Sequence, residues 1–138
     1  MGRVAYEMIR SWASVPIENN PVARFMNEVP KIVFSKSLKK APWGRYEPAR
    51  VVSNVEEEIK NQRKRMGKDS VVLGSSKLVQ FLITHKLVDE YLFWVYPIAF
   101  GSGKHWSPSK DPVELKLKRA NVFKSGIIEL CYQPYRKA

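Results

Sequence analysis

Cysteine is almost missing from this chain. Cys131 is the only one in 138 residues, so no intrachain disulfide can form, and a reducing compartment is expected. Histidine is nearly as scarce. His85 and His105, even with that thiol, are too few for a structural zinc centre, and no metal site is expected. Long apolar runs are missing too. The longest runs from Leu92 to Phe100 and is interrupted by Pro97, well short of the roughly 20 apolar residues a spanning helix needs. No membrane partner is therefore expected. Arg3 closely follows Met1 and no apolar leader core comes after it, so the chain reads as cytoplasmic rather than secreted. Internal repeats and low-complexity tracts are lacking. Acid is in short supply, with 13 Asp and Glu against 24 Lys and Arg, a net charge of +11. Such an excess either attracts polyanions (nucleic acid, acidic membranes, phosphorylated small molecules) or simply makes a basic, soluble surface.

What is present suits one globular domain, residues 1–138. With 44% apolar and 12% aromatic residues, the chain can bury enough surface to offset the ordering of its backbone. Arg3 to Trp12 reads as a helix. Pro21 sits well in the first turn of a second helix that ends at about Glu28, before Pro30. Lys31 to Phe34 is a short strand, Ala41 to Tyr46 is irregular, and Arg50 to Ser53 is a weak strand. Asn54 to Arg65 is the clearest helix: Asn54 can cap it, Glu56 to Glu58 fill the first turn, and Lys60, Arg63, Lys64 and Arg65 fill the last. That basic cluster reads as a solvated helix end. Gly67 is a candidate C-terminal cap.

Ser70 to Leu73 reads as a buried strand, after which Gly74-Ser75-Ser76 opens a helix with Leu78, Val79, Leu82 and Ile83 on one face. Glu90 to Phe100 lacks alternation and reads as a strand buried on both faces. Val113 to Phe123 and Ile127 to Tyr132 form a hairpin around Ser125-Gly126. The order predicts an α/β fold with a mostly parallel mixed sheet between helical layers and an antiparallel hairpin at its end.

In an open α/β sheet, ligands bind beyond the carboxyl ends of the strands. Two such ends are rich in hydroxyls: Ser35-Lys36-Ser37 and Gly74-Ser75-Ser76. Gly74 permits close backbone approach, and the amides of the following helix start favour an anion. Gly2-Arg3 stands before a third helix and adds a guanidinium whose fork suits phosphate. Each pattern also has a purely structural reading, as a helix cap or a turn, and together they do not separate a dinucleotide from another phosphate ligand. No catalytic constellation stands out. His85 reads as structural, His105 as an exposed loop residue, Asp89 and Glu90 as capping or pairing groups, and Cys131 as an unactivated thiol. Trp43, Trp94 and Trp106 read as packing residues.

The stretch from Val71 to Leu82 (VVLGSSKLVQFL), continuing through Leu87 to Leu92 (LVDEYL) and Pro97 to Lys104 (PIAFGSGK), closely resembles the riboflavin-biosynthesis reductase domain. This is the RibD C-terminal domain, of the dihydrofolate-reductase-like superfamily. Gly2 to Glu7 (GRVAYE) resembles that family's glycine–arginine helix start, and Lys31 to Leu38 (KIVFSKSL) its strand and phosphate-binding loop. The resemblance runs in order from Gly2 to about Pro134. It implies a three-layer α/β/α sandwich, an NADPH cofactor, hydride transfer to a pterin-like or pyrimidine-like substrate, and a homodimer. By position, Gly2, Arg3, Ser35, Lys36, Ser37, Gly74, Ser75 and Ser76 would line the cofactor; no catalytic residue is implied.

Some positions depart from the pattern. Ala5 stands where the family often has threonine, and Ser75 and Ser76 stand where it often has glycines. Relatives also carry about one more strand before the glycine–arginine helix, beside the strand at Val71. Without it, buried strands would lose a partner, and a symmetry mate or a rearranged segment is expected in that place. The competing readings are a reductase, a shortened relative that binds cofactor or serves a structural role without turnover, and a nucleic-acid binder. The last ranks lowest, because the basic residues are scattered and no recognised nucleic-acid motif is present.

Overall fold

A computed structural model of the chain describes residues 1–65, 67–103, 105–106 and 112–135. Lys104, the last residue of the Pro97–Lys104 stretch, lies outside them. The chain forms two compact units, Met1–Val79 and Gln80–Ala138.

In the first unit, α1 (Arg3–Ile9) runs into a 3-10 turn (Arg10–Ser14), followed by α2 (Pro21–Glu28). The Asn20 side chain caps α2 by accepting from the Ala23 N–H at 2.9 Å, and Pro21 takes the first helical position, where its missing N–H costs nothing. β1 (Ile32–Phe34) pairs parallel with β3 (Tyr46–Val52), and β2 (Ala41–Trp43) pairs antiparallel with the other edge of β3. The segment read as irregular is therefore in part a strand. Pro42 is tolerated because β2 is an edge strand, and its carbonyl accepts from the Tyr6 hydroxyl at 2.8 Å. α3 (Val55–Lys64) is capped by Asn54 as expected, its side chain accepting from the Glu57 N–H at 3.2 Å. The helix closes at Arg65 in an extended conformation, ahead of Gly67.

Tyr6, Val33, Ala41, Trp43 and Ala49 make the core of this unit. One buried polar residue organises it. Asn27, 2% exposed, donates to the carbonyls of Trp12 (3.0 Å) and Val15 (3.5 Å) and accepts from Trp43 Nε1 at 2.7 Å. Lys31 Nζ lies over the Trp43 ring and donates to the carbonyls of Asn27 and Val29. Burial pushes its ammonium pKa down, against the opposing pull of Glu47. Trp43 is thus a packing residue.

α4 (Ser76–Thr84) contains the boundary between the units. Leu78, Leu82 and Ile83 are buried, as the helical period predicts. In the second unit, β4 (Tyr91–Val95), β6 (Ile128–Pro134) and β5 (Leu115–Val122) form an antiparallel sheet in the order β4-β6-β5. The C-terminal hairpin forms where expected, with Gly126 at φ +84 in its turn. Tyr91, Phe93, Tyr132 and Trp106 pack edge to face or offset over one face of this sheet.

Three further expectations are corrected. Ser70–Leu73 is not a strand: no strand pairs with it among the described residues, and Val71 is 66% exposed. Pattern alone cannot supply a partner, and without one a β-branched run stays extended and wet. The run from Glu90 to Phe100 forms a strand only over Tyr91–Val95, at a sheet edge, with Leu92 and Trp94 exposed. Pro97 stops the ladder because it has no N–H to give. Finally, among the described strand pairings one is parallel and three are antiparallel, so the expected parallel majority is not found.

Candidate functional site

β1 ends at Phe34, and its carboxyl end is where the predicted site residues gather. Ser35 continues the ladder by donating its N–H to the Val52 carbonyl at 3.0 Å. Its side chain then turns the chain: Ser35 Oγ accepts from the Ser37 N–H (3.2 Å) and the Leu38 N–H (3.0 Å), and lies 3.4 Å from Ser37 Oγ. The Ser35 oxygen is therefore engaged within the loop, while Lys36 and Ser37 are exposed.

Met1 and Gly2 lie along the free edge of β1, opposite β3. The Met1 carbonyl accepts from the Phe34 N–H at 2.8 Å, and Gly2 forms a parallel bridge with Phe34. The Gly2 carbonyl accepts from the Tyr6 N–H and starts α1. On the side away from β1, the Gly2 N–H donates to Ser75 Oγ at 3.1 Å. A Cβ at position 2 would come within 2.7 Å of that oxygen, so a larger residue would have to turn the Ser75 hydroxyl away from the Gly2 N–H.

Gly74 and Ser75 both adopt left-handed backbone conformations, at φ +62 and +61. The Ser75 carbonyl accepts from the Val79 N–H at 3.0 Å, so the turn feeds directly into α4. Around Gly74 the space is open, and a Cβ there would meet nothing within 4 Å.

The structure thus brings Gly2, Ser35 and Ser75 to one place, with Gly2 between the other two. Arg3, Lys36, Ser37, Gly74 and Ser76 adjoin them along the chain. Arg3 is held only loosely: its guanidinium lies 3.9 Å from the Glu7 carboxylate one helical turn on, and both are about half exposed. Behind the junction, β3 is tied to α3 by Arg50, whose guanidinium engages both carboxylate oxygens of Glu58, with Nη1 to Oε2 at 2.9 Å. That hydrogen-bonded guanidinium and the Gln62 amide hold the largely buried Glu58 carboxyl below the usual carboxylate range, against the opposing effect of burial.

Sequence reasoning missed two features. Met1 and Gly2 meet β1 through a single parallel bridge at Gly2, a contact too short for any periodicity to reveal. Ser75 turns its hydroxyl inward onto Gly2, and no pattern in the chain announces that. The remaining candidates carry no cluster. His85 stacks on Phe81 and contacts its carbonyl at the end of α4, and Cys131 is buried beside Glu90, which pairs with Lys118. Burial and the neighbouring carboxylate push the Cys131 thiol pKa up, the opposite of activation. Two shallow clefts lie elsewhere and contain no predicted site residue. One borders the start of α2. The other, about 630 Å³, lies over the aromatic part of the second unit's sheet and has no charged group in its lining.

Helices and strands, with hydroxyl- and glycine-bearing loops drawn together at the carboxyl end of a parallel strand, define an α/β protein. The chain belongs to the RibD C-terminal domain family, whose model matches residues 1–128. It is 31% identical over 80 residues to the uncharacterized protein YyaP of Bacillus subtilis (strain 168), a match spanning 57% of this chain and 43% of that protein. Its fold matches the crystal structure of a presumptive riboflavin biosynthesis protein from Shewanella sp. PV-4. The TM-score is 0.75 at 18% identity, over 99% of this chain and 72% of that one. Among the described residues no helix is long and apolar enough to cross a membrane.

Proposed function

We propose that the chain is an NADPH-dependent reductase of the dihydrofolate-reductase-like kind. It acts on a pterin-like or pyrimidine-like heterocycle, in chemistry of the riboflavin-biosynthesis type. One observation carries this reading: the main chain of Gly2 bridges to β1 on one side and bonds Ser75 on the other, so three loops suited to phosphate share one strand end. The residues fit such a ligand. Gly74 leaves room for close approach, Ser37 and Ser76 bring hydroxyls, and Ser35 Oγ shapes the loop that carries Lys36. Arg3 and Lys36 bring positive charge, and the first amides of α4 bring oriented dipoles.

When bound, NADPH supplies the hydride. The chain's own part is to bind it, orient it and keep water from the acceptor. No carboxylate or imidazole stands among the eight residues, so their work is positioning rather than proton transfer. That composition also favours a second reading, in which the junction binds cofactor without turnover. Both readings carry a cytoplasmic homodimer with them. Titration with NADPH and NADP⁺, followed by nicotinamide fluorescence and calorimetry, tests the binding that both share. Saturable binding that weakens several-fold in Lys36→Ala is expected; no binding of either nucleotide refutes both readings. Steady-state oxidation of NADPH with candidate heterocycles then separates turnover from binding alone.

A further inference from the structure

We propose that Ser75 is a latch on this junction: its hydroxyl holds the Gly2 N–H in the free protein and must release it before that amide can serve a phosphate. The side chain thereby sets the affinity of the site. The inference rests on the reading that the junction takes a diphosphate.

Three observations carry it. The first is direction. The neighbouring Met1 carbonyl is used by β1 through the Phe34 N–H, while the Gly2 N–H points the other way and is taken by Ser75 Oγ at 3.1 Å. The amide is therefore already satisfied from within. The second is space. A Cβ on Gly2 would lie 2.7 Å from Ser75 Oγ, so the hydroxyl occupies the room the glycine leaves, whereas the adjoining Gly74 faces open space. The third is conformation. Ser75 sits at φ +61, a region where a side chain is disfavoured and glycine is not. The bond to Gly2 offsets that cost only while it is made. A ligand oxygen that claims the Gly2 N–H removes the offset and frees a hydroxyl on a strained, short turn.

Ser75→Ala and Ser75→Gly test the proposal. Neither enlarges the side chain, and the glycine variant suits the left-handed backbone. Circular dichroism of both should match the parent. A net hydrogen bond that binding must break corresponds to about a fivefold loss of affinity. Both variants should therefore bind NADPH about fivefold more tightly than the parent. The Gly2 amide, observed by NMR with glycine-selective labelling, should exchange faster in the ligand-free variants. Equal or weaker NADPH binding by Ser75→Ala would make Ser75 an ordinary donor and overturn the latch while leaving the cofactor reading intact. An unchanged Gly2 exchange rate would overturn it as well. Failure of the parent and both variants to bind NADPH would overturn the cofactor reading and, with it, any role for Ser75 in affinity.

Discussion

Asn27 is the residue whose removal should cost the first unit most for its size. In Asn27→Ala, Trp43 Nε1 loses its acceptor and the Trp12 carbonyl loses a donor at 3.0 Å. Trp43 is fully buried, so no water replaces the lost partner without repacking. Leaving a buried polar group unpaired costs about 1–3 kcal/mol. The Trp12 carbonyl belongs to a half-buried residue and recovers part of its loss, so the two together come to about 2–4 kcal/mol. That is a large share of the total stability of a small protein, about 5–15 kcal/mol. At roughly 4 °C per kcal/mol for a chain of this length, the melting temperature should fall by about 8–16 °C. Thermal melts by far-ultraviolet circular dichroism give the shift, and urea titrations should show a lower midpoint at unchanged slope. Trp43→Phe removes the same bond from the other side while keeping a ring. In a double-mutant cycle the two substitutions should be coupled by about 1 kcal/mol or more. A melt for Asn27→Ala within roughly 3 °C of the parent, or strict additivity in the cycle, would refute the view that this amide is a structural hub.

The Arg50–Glu58 pair should make stability depend on acid. The Glu58 pKa lies below its ordinary 4.5 in the folded chain, so its contribution is complete above that value and is lost as the pH falls through the depressed folded pKa. Arg50→Met should cost about 1–3 kcal/mol at neutral pH by stranding a largely buried carboxylate, and should flatten the acid limb of a urea-midpoint series; an unaltered limb would count against the pair. Gly2→Ala places a methyl group 2.7 Å from Ser75 Oγ; that hydroxyl turns away only by giving up its bond to the Gly2 N–H, so the variant should destabilise by about 0.5–1.5 kcal/mol, with Ser75→Gly restoring part of the loss in the double variant. Equal melts for the single and double variants would mean that the clash is relieved elsewhere. Cys131 is 1% exposed and its thiol pKa is pushed up, so it should react with a disulfide reagent far more slowly in buffer than in urea, at every pH up to the thiol's ordinary range. Comparable rates would place the thiol at the surface.

Several elements could be read from the chain because their causes lie within a few residues of one another. Asn20 with Pro21 and Asn54 with three glutamates fix helix starts through bonds to amides three positions on. Ile32 to Phe34 is short and β-branched, and Ser125-Gly126 supplies the turn on which the C-terminal strands fold back. The family resemblance was legible for the same reason, since its motifs are runs of adjacent residues, and they also marked the loops that meet at β1.

What the sequence could not determine was anything requiring a distant partner. Val71 to Leu73 has the composition of a strand, yet a strand exists only where another backbone accepts its hydrogen bonds. Ala41 to Trp43 holds a proline and looked irregular, yet β3 pairs with it from the one side Pro42 leaves usable. Glu90 to Phe100 is apolar enough for an interior, but burial belongs to the neighbours and not to the run itself. The same reason governs the candidate site. Sequence marked Gly2, Ser35 and Ser75 as three separate loop residues. Only the folded chain decided that Gly2 stands between the other two, and that the Ser75 hydroxyl fills the space beside it, because backbone pairing across more than thirty residues set that distance.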